Sequence, residues 1–96
     1  MKPEKILIVY NTQKNVWMAV PGAAILSRGD NVSWRAIKAN TLYFVPDPTV
    51  FSNIGQNGTT ITATVSQNAS SGYYVTPMKA DGNDVGGDSA PGIIID

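Results

Sequence analysis

The densest set of potential ligand groups in the chain runs from Lys79 to Ser89, where the carboxylates of Asp81, Asp84 and Asp88 and the amide of Asn83 fall within eight residues. Hard oxygen donors of this kind are what calcium takes. Set against an EF-hand loop, Asp81, Asn83 and Gly86 stand at the first, third and sixth places, but Val85 holds the fifth and Gly92 the twelfth, where a bidentate Glu belongs. The residue that creates affinity is missing. A solvated loop shaped by Gly and capped by Asp and Asn is therefore the first expectation, and a calcium-dependent or carbohydrate-binding module using Asp81 to Asp88 is the alternative.

Other chemistry is thinner. The thioethers of Met18 and Met78 are soft enough for Cu(I), yet without imidazole or thiolate beside them they read as packing residues. Glu4, Asp30, Asp47, Asp81, Asp84 and Asp88 include no two that a regular element would hold together as an acid and base pair. No Ser-x-x-Lys or glycine-framed serine occurs, so no catalytic residue is assigned and an enzyme is not expected. The chain has neither His nor Cys. That composition rules out a Ser-His-Asp triad, a thiol nucleophile, a thiolate zinc site, an iron–sulfur cluster and any disulfide. Seven Lys plus Arg balance seven Asp plus Glu, which gives no electrostatic reason to expect nucleic acid or an anionic membrane as a partner.

The elements that must position these groups are short. Of the 96 residues, 43% are hydrophobic, enough for one core and one domain over residues 1–96 without disulfide or metal. Lys5 to Tyr10 and Val16 to Val20 read as strands, the second closed by Pro21-Gly22. Ala23 to Leu26 and Asn31 to Ile37, joined by Ser27-Arg-Gly-Asp30, read as a hairpin with Val32 and Trp34 inward. Thr41 to Val45 is a strand stopped by Pro46-Asp47-Pro48. A short extended piece at Thr49 to Ser52, which with Ile54 is also the best place for a single helical turn in a chain that otherwise gives no helical pattern, and a loop from Asn53 to Gly58 precede Thr59 to Val65, whose Ile61, Ala63 and Val65 alternate against Thr60, Thr62 and Thr64. Tyr73 to Thr76 and the apolar Gly92-Ile-Ile-Ile-Asp96 complete about seven or eight strands, the pattern of an all-β, two-sheet Greek-key sandwich. The apolar run Ile6 to Tyr10 is too short to span a bilayer or form a signal-peptide core. A soluble protein is expected, secreted or periplasmic if a leader has been removed.

Several of these segments, in this order, resemble the cupredoxins. Arg28-Gly-Asp-Asn-Val-Ser-Trp34 is similar to the family's Gly-Asp-x-Val-x-Trp/Phe strand, and a polar loop precedes Thr41-Leu-Tyr-Phe44 where the family carries its first histidine ligand. Gly72-Tyr-Tyr-Val-Thr-Pro-Met78 is similar to the segment Gly-x-Tyr-x-Tyr-Cys-x-Pro-His. The resemblance implies a plastocyanin-like sandwich and places the blue-copper ligands at Asn40, Val75, Met78 and Asn83. None of these is His or Cys, so the three strong donors that blue copper requires are gone. The implied molecule is a cupredoxin-like scaffold without its copper centre, holding no cofactor and acting as a non-catalytic binding or structural module.

For such a module the loops at one end of the sandwich are the expected interaction surface, here Asn40, the corner Pro46-Asp47-Pro48, Met78 and Asp81. The partner is an unidentified protein. Zero net charge and uncovered sheet edges make a homodimer the secondary expectation. Most aromatics are assigned to the core, with one of Tyr73 and Tyr74 inward and the other outward. The sequons at Asn31, Asn57 and Asn68 matter only in a eukaryotic secretory pathway, and Asn57-Gly58 is read as a turn.

Overall fold

Strict alternation explains the three central strands of the larger layer. Ile6 and Ile8, Val32, Trp34 and Ala36, and Ile61, Ala63 and Val65 all turn to one side and are buried, while Lys5, Ser33, Arg35, Thr62 and Thr64 turn to the other. The computed structural model describes residues 3–87 and 90–96. Its strands are β1 (Pro3–Asn11), β2 (Val16–Val20), β3 (Ala23–Leu26), β4 (Asn31–Ala36), β5 (Leu42–Tyr43), β6 (Phe51–Asn57), β7 (Thr60–Val65), β8 (Gly72–Val75), β9 (Lys79–Ala80), β10 (Asn83–Asp84) and β11 (Gly92–Ile95). No helix occurs among the described residues.

The first layer is a five-stranded sheet in the order β2-β1-β4-β7-β6, with β1 and β4 parallel and the other neighbours antiparallel. The second layer consists of two small sheets, β3-β11-β8 and β10-β9-β5. Residues 72–80 run through both. Tyr74, Thr76, Met78 and Ala80 face inward along this stretch, and Tyr73, Val75, Pro77 and Lys79 face out. Between the layers Trp34 is fully buried, with the rings of Phe44 and Phe51 set edge-on at centroid distances of 4.8 and 5.4 Å. Burying a side chain of this size contributes about 3 kcal/mol, and the edge-on contacts add roughly 1 kcal/mol each. The architecture is the expected all-β sandwich.

Three local expectations are corrected. β3 and β4 do not form a hairpin: β3 pairs in parallel with β11 in the second layer, and Ser27 to Asp30 carry the chain across to the first. The buried Asp30 carboxylate accepts the Ser27 N–H at 2.9 Å, and Gly29 N–H donates to Val65 O at 2.8 Å, so the crossing is held without a ladder. The Thr49 to Ile54 helical turn does not form: a tight turn, with Val50 and Phe51 N–H donating to Asp47 O, leads at Phe51 into the seven-residue strand β6, so the extension expected at Thr49 to Ser52 begins two residues later and runs through the stretch read as a loop. A bulge between Ser52 and Gly55, with Asn53 at φ 52°, lets β6 follow β7 although its own side chains do not alternate. Finally, the described residues form eleven strands where seven or eight were expected, because β6, β9 and β10 lie in segments read largely as loop or turn.

Candidate functional site

Two places bear on function: the loop end that carries Asn40 and Asp81, which the sequence pointed to, and the outer face of the second layer. At the loop end, β9 and β10 form a hairpin whose two connecting residues, Asp81 and Gly82, both have positive φ, 49° and 81°. An Asp-Gly pair is what a type I′ turn selects. The turn aims the Asp81 carboxylate at the neighbouring loop, where Oδ1 accepts the N–H groups of Asn40 at 2.8 Å and Thr41 at 2.9 Å. Asp81 thus works as a brace between two loops. Asp84 lies across from Lys79 on the exposed side, with its Oδ1 3.7 Å from Nζ, and the Asn83 side-chain N–H donates to Asp81 O. Asp88 lies outside the described residues. Among the described residues no three acidic side chains come together as a cation site would need.

The four positions that the cupredoxin resemblance assigns to copper ligands do not converge. Met78 is buried at 3% exposure and Val75 is on the opposite side of the same stretch at 54%. Asn40 and Asn83 are exposed. The inward residue at this level of β8 is Thr76, which sequence reasoning passed over. Its hydroxyl is buried and has no hydrogen-bond partner among the described residues. Strand phase was the available signal: if Tyr74 is inward, residue 76 is inward and residue 75 cannot be. Below Met78 the loop closes further, since Val85 N–H donates to Met78 O and Gly86 N–H to Trp17 O, which ties β10 to β2.

The expected interaction surface also divides. Asn40 and Asp81 are together, but Pro46 and Met78 are buried. The exposed Asp47-Pro48 turn is at the other end of the sandwich, beside Phe51 and Val65 at the opposite end of β7 from the Asn40 loop. There Asp47 Oδ1 accepts the Thr49 hydroxyl at 2.7 Å and the Thr49 N–H at 2.8 Å. These bonds, the hydroxyl first, hold its carboxyl below the usual carboxylate range.

Among solved structures the chain is similar to a pseudoazurin from Sinorhizobium meliltoi, at a TM-score of 0.56 and 14% identity over 100% of this chain and 75% of that one. The fold is cupredoxin-like. No protein-family model matches the sequence, and no curated protein is similar to it in sequence. On this cupredoxin-like sandwich the residues do not fit a blue-copper centre, because the chain has no thiolate or imidazole and the positions involved face different ways. No helix among the described residues is long and apolar enough to cross a membrane.

The second place is the outer face of β3-β11-β8, which sequence reasoning did not single out. Ile94 on β11 is level with Ile25 on β3 and Tyr73 on β8; one step along, Gly92 is level with Ala23 and Val75. Ile25, Tyr73 and Val75 are 64%, 56% and 54% exposed. None of these six residues is charged. The phenol end of Tyr73 lies over Gly92, where a Cβ would collide with Oη, Cζ and Cε1, so the glycine leaves room for the tyrosine beside the central strand.

Proposed function

We propose that this cupredoxin-like domain acts as a non-catalytic binding module that works without a metal and presents the outer face of its second layer to a protein partner. The observation that supports this most is the division of labour between the two places. The polar groups of the loop end are engaged with one another, Asp81 with Asn40 and Thr41 and Lys79 with Asp84, whereas Ile25, Tyr73 and Val75 are left in water. Exposed apolar side chains gathered on one sheet face are a partner surface in the ordinary chemistry of soluble proteins. Calcium binding is disfavoured because an ion at Asp81 would displace two backbone N–H donors from Oδ1.

Thermal unfolding with EDTA, then with excess Ca²⁺, Zn²⁺, Cu⁺ or Cu²⁺, tests the metal-independent part. A ligand specific to the folded state raises apparent stability by RT ln(1 + [L]/Kd). The expected result is the same Tm in every condition. A saturable calcium shift that disappears in Asp81→Ala would overturn the reading in favour of the aspartate loop, and a copper-only shift would overturn it in favour of Met78 and its neighbours.

A further inference from the structure

We infer that the occupant of the β3-β11-β8 face is a second copy of this chain, joined face to face about a two-fold axis. The inference rests on the binding-module reading and names its partner. Three features of the face support it.

The first is area. The apolar strip does not stop at Val75: Pro77 continues it outward, and beyond Lys79 stand Tyr43 and Val45, 66% and 67% exposed. With about 200 Å² for a tyrosine and less for Ile and Val, these fractions leave roughly 500 Å² in water, the upper part of the range of a monomer's largest patch. Monomers rarely expose more than a few hundred Å² in one patch, and a standard interface takes about 800 Å² from each partner. One copy of this face on another, with its polar margin, reaches that size.

The second is charge. A partner of opposite charge would be selected by a field of one sign, and this face has none. Lys79, which interrupts the strip beside Tyr43, pairs with Asp84, and at the other end Arg28 Nη1 reaches Asp96 O at 3.5 Å while Ser27 donates to the Asp96 carboxylate at 2.8 Å. Each end carries both signs, so like ends can meet without net repulsion.

The third is shape. A two-fold axis lying in the interface along β11 sets Ile94 over its own counterpart and Ile25 of each copy over Tyr73 of the other, an isologous contact in which one row of side chains serves both molecules. Sheets stacked this way sit about 10 Å apart, a gap that Ile, Val and Tyr side chains fill.

Sedimentation velocity on the intact chain over a concentration series tests this, with Ile25→Lys and Tyr73→Lys on the face and Thr62→Lys on the outer side of the first layer. The wild type and Thr62→Lys are expected to reach twice the monomer mass, and the two face variants to stay monomeric with unchanged circular dichroism. Because the chain has no cysteine, Ile94→Cys with a short bis-maleimide gives a second readout, expected to yield a covalent dimer where Thr62→Cys does not. A wild type that is monomeric throughout overturns the second copy as occupant. A dimer that persists in both lysine variants, or cross-links through residue 62 in preference to 94, overturns the face. Should a lysine variant fail to fold, the Ile94→Cys cross-link alone decides. Monomeric wild type with no metal shift leaves the module reading standing and removes only the dimer, whereas a metal shift removes the module reading whatever the mass.

Discussion

The two layers of this sandwich share one core and differ in almost everything else. The first is a continuous ladder of five strands whose outer side carries Lys5, Ser33, Arg35, Thr62 and Thr64, with the Thr64 hydroxyl donating to Asn31 Oδ1 at 2.9 Å, and has one exposed apolar pair, Leu7 and Val20, at the β1–β2 edge. The second is interrupted between β8 and β9, depends on side-chain braces such as Asp81, and shows Ile25, Tyr73 and Val75 to water. A continuous ladder whose outer side is mostly polar leaves little uncovered. An interrupted layer with an apolar outer side has surface that folding has not covered, and this is the physical reason for placing binding there and not at the loop end.

The contrast can be broken most severely at the core that both layers share. Trp34→Ala removes the ring against which Phe44 from the second layer and Phe51 from the first are packed, and is expected to lower the unfolding free energy by about 3–5 kcal/mol in chemical denaturation. A loss below 1 kcal/mol would mean that the layers do not depend on this contact. The next effect belongs to the second layer alone. Asp81→Ala leaves the Asn40 and Thr41 N–H groups without their acceptor and places Ala at a φ of 49°, with an expected cost of about 1–2 kcal/mol; Asp81→Asn, which keeps an acceptor and tolerates that φ, should cost less. Equal losses in the two would argue against the brace.

Thr76→Val sharpens the comparison in the opposite direction. It swaps a buried hydroxyl without a partner for a methyl group at the break between β8 and β9, and should raise stability by about 1 kcal/mol. A destabilised variant would show that the hydroxyl has a role in the fold. The smallest effect lies at the Asp47 turn. Its folded pKa is depressed by the Thr49 hydroxyl and then the Thr49 N–H, so its contribution is present above the ordinary carboxylate value and is lost as pH falls through the depressed one. Asp47→Asn should therefore flatten part of the acid limb of stability against pH, and an NMR titration of Asp47 should give a midpoint below that of a free carboxylate. A midpoint at the ordinary value would remove the effect.

What the sequence made legible follows from where each element sits. β7 and β4 were readable because each has one buried and one wet side, so Ile61-Ala63-Val65 and Val32-Trp34 declare their phase. β6 was not, because an edge strand with a bulge needs no apolar alternation and Ser-Asn-Ile-Gly-Gln-Asn has none. The β3–β4 hairpin was a sound local reading overruled by topology: the chain leaves one layer for the other at Ser27 to Asp30, and no local pattern announces that. At the loop end the motif similarity put the lost thiolate position at Val75, one residue out of phase with the inward side of β8, and in a strand one residue is a change of face. The outer face of the second layer escaped notice for a related reason. Gly92-Ile-Ile-Ile and Tyr73-Tyr-Val are continuous apolar runs, which in sequence look the same whether both sides are covered by this chain or one side awaits a partner.

The most direct test of the difference between the layers is a backbone-amide NMR dilution series on the wild-type chain. The expected result is that signals of Ala23–Leu26, Tyr73–Val75 and Ile93–Ile95 shift with concentration while those of Lys5, Ser33 and Thr60–Thr64 stay fixed. Shifts confined to Thr60–Thr64 and their neighbours, or to Asn40, Thr41 and Asp81, would contradict it and return the binding surface to the first layer or to the loop end.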